Sequence, residues 1–268
     1  MKVLSVVLGS LVALGLLLWG GLRVPPRAFP EPDVAGTEVD RVPLPQGLPA
    51  PVARFYREVY GDQLPVIETA VITGRGTMRV SGVTLPVRWR FVHRSGADYR
   101  HDIEVTLYRA RVLTIEELFR DGTARLELPF GVSEGPNVDQ GANLALWSET
   151  IWMPSVWVTD PRARWEAVDA HTALLVVPFG DEEETFVARF DPDTGLLRLF
   201  ESMRFKGEHE TTRTLWLNEA VSWDELDGWL LPIVTEITWF DDGSPWAVLT
   251  TEDVRYNLPL TDDLRPAG

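Results

Sequence analysis

Tryptophans and a few carboxylates are the side chains here that could do more than fill a core. Of eleven tryptophans in 268 residues, one sits in the apolar first segment. Trp147, Trp152 and Trp157 follow one another at intervals of five across a helical pattern, while Trp89, Trp165, Trp216 and Trp239 fall on strand patterns. Aromatic walls suit apolar ligands, and an indole N–H can hold a polar head. The plainer reading is that the rings fill the core of a large sheet. An interval of five turns a helix by about 500°, so the three cannot all line one pocket. Glu149 stands among apolar neighbours on the same helix pattern. Pointing inward, its carboxyl would have a raised pKa and could serve as an acid or bind a polar head group. Pointing outward, it is a solvated helical glutamate. The expected ligand-lining set is Trp89, Trp147, Glu149 and Trp152, with no catalytic residue.

Other chemistry finds little support. The chain has no cysteine, which removes thiol catalysis, disulfides and cysteine zinc sites. His93, His101, His171 and His209 form no H-x-H or H-x-x-x-H pair. A four-residue hairpin loop would place His93 opposite Arg100 and turn the imidazoles of His93 and His101 to opposite faces, so no metal is expected. The run from Asp191 to Gly195 has calcium-like oxygens but no later glutamate, and reads as a hairpin turn. Gly74-Arg75-Gly76 lies in a strand pattern and lacks the Gly-Lys-Ser/Thr of a phosphate loop. There is no G-x-S-x-G elbow. Glu116-Glu117 and the acidic run from Asp181 to Glu184 read as solvated edge and loop charges. No cofactor is expected.

The elements that must position these residues are mostly strands. Pro51 suits a first helical turn, and Val52, Phe55, Tyr56, Val59 and Tyr60 recur at helical period before Gly61. Val66 to Val80, Val83 to Arg94 and Tyr99 to Tyr108 read as strands, with Val87, Trp89 and Phe91 on one face. Residues 111–130 continue as extended structure around Asp121-Gly122. A Gly-rich break at 131–143 precedes a second helix, Asn143 to Met153, ended by Pro154. Strands follow near 164–168, 171–179, 185–190, 196–205, 211–217, 233–240 and 246–256. This is a mainly β (α+β) pattern, a curved antiparallel sheet with one or two packed helices.

At the front, Val3 to Leu22 is uncharged and would reach about 30 Å as a helix, the thickness of a bilayer core. A cleaved signal peptide is the competing reading, disfavoured by the length of the run and the lack of an A-x-A-like site before Pro25. The expected organisation is a transmembrane anchor at 1–22, a Pro-rich linker at 23–49, one β-rich half-barrel-like domain at 50–260 and a tail at 261–268. The single-pass anchor implies a cell-membrane location, with the body outside the cytoplasm. Beyond residue 27 the chain carries 22 basic and 40 acidic residues, a formal −18. That excludes the basic footprint of nucleic-acid binding and disfavours lying flat on anionic lipid.

Several short segments resemble an uncharacterised family of bacterial proteins. They are Leu48 to Val52 opening a helix, Leu146 to Pro154, Trp165 to Asp169 leading to Thr172-Ala173, the turn from Asp191 to Gly195, and Pro232 to Trp239. The family's shape is similar to the lipoprotein-carrier (LolA-type) and LppX-type half-barrels. The resemblance implies a concave sheet able to hold an acyl chain, and supplies no catalytic residues. Together the readings point to a membrane-tethered module for a lipid or other apolar ligand. The alternatives are an envelope scaffold that meets a protein partner, and a hydrolase that pairs Glu149 with a nearby carboxylate.

Overall fold

A computed structural model describes residues 2–30, 39–80 and 82–266; for Lys2 to Leu4 and Val6 it describes the backbone alone. Part of the expected linker, including Pro32, and the last two residues of the tail lie outside the described residues. The apolar run is one helix, α1 (Lys2–Leu22). Its continuously described part, from Val7 to Leu22, is sixteen residues. Among the described residues no helix is long and apolar enough to cross a membrane.

Strand β1 (Arg41–Pro43) and strand β2 (Gln63–Pro65) pair in a small ribbon around helix α2 (Ala50–Tyr60). The expected linker therefore includes a short strand. Its proline ends β1 at an edge, where a missing N–H costs nothing. Before it, Pro26 and Ala28 accept hydrogen bonds from Arg75 and Arg88, and Phe29 lies under the guanidinium groups of Arg88 and Arg90 at 4.6 and 5.1 Å. In α2 the expected apolar face is buried at Val52, Phe55 and Tyr56.

The rest is one thirteen-stranded antiparallel sheet. Its first six strands form a meander: β3 (Thr69–Val80), β4 (Val83–Arg94), β5 (Asp98–Leu107), β6 (Ala110–Arg120), β7 (Thr123–Leu128) and β8 (Gly131–Glu134). Helix α3 (Pro136–Glu149), a tight turn at Thr150–Trp152 and the short α4 (Val156–Thr159) follow. A second meander has β9 (Arg164–Ala167), β10 (Thr172–Phe179), β11 (Glu182–Phe190), β12 (Leu197–Arg204), β13 (Thr214–Leu226), β14 (Trp229–Trp239) and β15 (Ala247–Tyr256). The pairing of β3 with β15 joins the two.

The sheet curls around α3. That helix touches both β7 and β12, which stand eight positions apart in the strand order. In a flat sheet they would be separated by about 38 Å, far more than a helix about 10–12 Å across can bridge. Alternation sets the two faces. Val87, Trp89 and Phe91 point into the curl and are buried, while Arg88 and Arg90 point outward and pair with Glu104 and Asp102.

At the seam, Gly74 lets Trp89 lie flat on β3. A Cβ there would meet Thr250 O at 2.0 Å and the indole at 2.6 Å. The indole Nε1 donates to Arg75 O at 3.2 Å.

Candidate functional site

The hairpin of β4 and β5 places the histidines differently from the sequence expectation. Its loop is three residues, Ser95-Gly96-Ala97, and the register pairs His93 with Tyr99 and Phe91 with His101. Changing the loop by one residue reverses which face a strand's side chains take. His93 and His101 therefore point to the same face, the inner one. Glu149 reaches them from the last residue of α3. Its Oε2 lies 2.7 Å from His101 Nε2 and 3.2 Å from His93 Nε2. Glu117, directly across from His101 on β6, places Oε2 at 3.3 Å from His101 Nδ1. Glu116 and Glu117 are consecutive on a strand and so face opposite ways. Glu116 goes out to Arg100 and Glu117 goes in, so only Glu116 fits the solvated-edge reading.

These groups titrate as a coupled set. Burial alone would raise the Glu149 carboxyl, as the sequence suggested for an inward side chain. The charge and hydrogen bond of His101, with His93, outweigh it and hold Glu149 at about 2. Burial alone would lower His101, but Glu149 and Glu117 raise it to about 9. His101 is thus an imidazolium, stacked on Tyr99 at 4.0 Å and facing the Phe91 ring at 3.9 Å. His93 is lowered, because burial outweighs the nearby carboxylate. It is fully buried. Its Nε2 approaches Glu149 without the alignment of a hydrogen bond, and its Nδ1 has no partner among the described residues. For Glu117, burial is again opposed by His101, and the carboxyl lies low.

His101, Glu117 and Glu149 form one wall of a cavity of ≈ 120 Å³ inside the curl. The rest of the lining is mixed, with Met78, Ile103, Ile151, Trp152, Ile237 and Leu249 among its apolar members and Asn218, Glu219, Thr235 and Glu236 among its polar ones. Arg204, at the end of β12, is a further polar element in the lining. Its guanidinium lies over Trp216 at 4.4 Å and Trp239 at 5.7 Å. Gly141 of α3 makes room for it, since a Cβ there would come within 2.9 Å of Arg204 Nε. Five lining residues carry a buried donor with no partner among the described residues: Arg204 Nε, Trp216 Nε1, Asn218 Nδ2, Thr235 Oγ1 and Trp246 Nε1. The volume is below the few hundred Å³ of most ligand pockets, and close to the roughly 150 Å³ of engineered apolar cavities that take up benzene.

Of the four residues singled out in the sequence, Glu149 and Trp152 stand in the cavity wall. Trp152 is held by its Nε1, which donates to Thr251 Oγ1 at 3.0 Å. Trp89 packs behind it at 5.6 Å, fully buried. Trp147 is core elsewhere, its ring 5.9 Å from the Arg162 guanidinium. His101, Glu117 and Arg204 were not among the expected lining residues. Strand alternation around Glu117 was the available signal.

A family of unknown function (DUF6544) matches residues 38–250. The chain belongs to that family. No curated relative matches it. In shape this DUF6544 member is similar to a LolA-superfamily protein from Nitrosomonas europaea, with TM-score 0.47, 11% identity, and 79% of this chain and 94% of that one covered. It is also similar to a DUF1329 family protein from Desulfovibrio piger, with TM-score 0.41, 12% identity and coverages of 74% and 89%. A third likeness is a putative outer membrane lipoprotein-sorting protein domain from Vibrio parahaemolyticus, with TM-score 0.39, 12% identity and coverages of 79% and 91%. These likenesses concern overall shape and say nothing of the cavity.

Proposed function

We propose that the chain is a membrane-tethered binding module that holds an amphiphile, with an apolar group against Trp152 and a polar head at the polar residues of the same cavity. The observation that carries this reading is the mixed lining of the cavity: apolar side chains such as Ile103, Trp152 and Leu249 together with the polar His101, Glu117, Glu149 and Arg204. Buried donors without partners are rare and costly. The five in this lining favour a head bearing acceptor oxygens, such as an ester.

The tether is part of the same proposal. Val7, Leu8, Leu11, Leu16 and Leu17 of α1 are at least half exposed, a contiguous apolar surface that soluble proteins avoid. The end of the helix meets the body. Tyr108 donates from its backbone N–H to Gly21 O at 3.1 Å and from its hydroxyl to Leu17 O at 2.6 Å. Trp19 and Arg23, stacked at 4.6 Å, fit the aromatic and basic residues of a bilayer interface. We place the body of residues 50–260 on the extracytoplasmic side of the cell membrane. The acidic surface then keeps it off anionic lipid, so the ligand enters an interior cavity.

Quenching of tryptophan fluorescence by a short-chain brominated ester, small enough for the cavity, tests the binding. With the full chain in detergent, quenching should saturate near one equivalent, and Trp152→Phe should remove part of it. Quenching that rises linearly without saturation would count against the proposal.

A further inference from the structure

We propose that His93, His101 and Glu149 form a site for one divalent transition-metal ion, with an open coordination position on the cavity. One ligand atom from each of the three residues lies within 4.8 Å of the other two. The closest separations are 2.7 Å and 3.2 Å, both to Glu149 Oε2. Zinc bonds of about 2.0–2.2 Å place tetrahedral ligand atoms roughly 3.3–3.6 Å apart, so the Glu149–His101 pair would open by roughly 0.6–0.9 Å while the Glu149–His93 pair is already near that spacing.

Three further observations favour an ion over a simple ion-pair cluster. His93 is fully buried; among the described residues its Nδ1 has no hydrogen-bond partner, and its Nε2 has only the poorly aligned contact with Glu149 Oε2 at 3.2 Å. A buried ring nitrogen in that state is costly, and coordination through Nε2 would give that nitrogen a well-aligned partner. His101 presents Nε2 to Glu149 while Nδ1 faces Glu117 at 3.3 Å. This is the carboxylate–histidine pairing that fixes the tautomer of a metal-binding imidazole. Finally, two histidines and one carboxylate leave a position vacant, as in zinc sites that act on a bound molecule; purely structural sites are closed by four protein ligands. Because His101 and Glu149 line the cavity, that position opens where an acceptor oxygen would sit. The metal site does not depend on the amphiphile proposal: an ion could bind with the cavity otherwise empty.

The test uses the full chain in detergent, stripped with a chelator and titrated with Zn²⁺ and with Co²⁺. One equivalent of each should bind, with Co²⁺ giving the visible absorption of a low-coordinate site. Glu149→Gln and His101→Gln should weaken binding by more than about 100-fold. Glu117→Gln should keep the stoichiometry and weaken binding by about 10–100-fold. His171→Gln and His209→Gln should change nothing. Circular dichroism reports whether each variant folds. Should the ligand variants not fold, X-ray absorption of the Zn²⁺-loaded wild-type chain decides, with two imidazoles expected in the first shell. Absence of stoichiometric uptake by the folded wild type, uptake unchanged in Glu149→Gln, or a shell of oxygen donors alone would overturn the proposal.

Discussion

Glu149→Gln in metal-free protein probes the buried polar wall most sharply. The substitution keeps side-chain volume, so no cavity opens, but it removes the charge facing His101. A carboxyl held at about 2, against an ordinary value near 4.3, has its charged form stabilised by about 3 kcal/mol. His101, raised to about 9 from roughly 6.5, reports a similar figure of about 3 kcal/mol. These are one interaction seen from its two partners and are not added. Breaking a buried ion pair by removing one member costs about 3–5 kcal/mol in general, which agrees. In a body of this size each kcal/mol lowers the melting temperature by about 2–4 °C. At pH 6 in the presence of a chelator, Glu149→Gln should therefore melt about 6–12 °C below wild type. Thermal unfolding followed by near-ultraviolet circular dichroism measures this. A drop of less than about 2 °C would mean that the carboxylate is effectively solvated and that the polar wall as described is wrong.

Two more predictions concern the frame around the site. Gly74→Ala should destabilise the chain by about 2–4 kcal/mol in urea unfolding, from overpacking and loss of the Trp89 Nε1 hydrogen bond; a neutral effect would contradict the close approach of Trp89 and β15 at the seam. Tyr56 and Tyr256 are buried, their hydroxyls donate to Pro154 O and Trp152 O, and burial raises both pKa values well above 10. A raised folded pKa gives stability that is complete below the unfolded pKa and lost as pH climbs past it. Stability should thus fall above about pH 10, by roughly 1.4 kcal/mol per pH unit for each of the two. Absorbance at 295 nm should show fewer than the five tyrosines ionised in the native chain at pH 11.

Much of the sheet was legible because short alternating strands end at Gly and Asp turns. The buried face at Val87, Trp89 and Phe91, the face of α2 and the hairpin at Asp191 to Gly195 all follow from period and turn chemistry. In that turn Asp191 Oδ1 is fully used, accepting from the N–H groups of Asp193 and Thr194 and from the Thr194 hydroxyl. The β13–β14 hairpin was read too short. Glu219, Asp224 and Glu225 interrupt the apolar alternation, and the Asp227-Gly228 turn, both residues at positive φ, was the signal overlooked. Charge runs also misled. Glu184, expected in a solvated loop, is buried between Gln140 and Arg213. The site itself was hidden by one residue of loop length. Gly96, at φ 64°, supports the tight three-residue turn, and that turn brings His93 and His101 together. Which long-range partner Glu149 meets depends on how the whole sheet curls around α3, and no local pattern carries that.

Native mass spectrometry of the full chain, gently extracted from the membranes of cells that express it, tests the central claim most directly. The account predicts a one-to-one adduct with an amphiphile bearing acceptor oxygens, released when the chain is denatured. A chain that consistently shows only its own mass, and acquires no adduct when incubated with short-chain acyl esters, would contradict it.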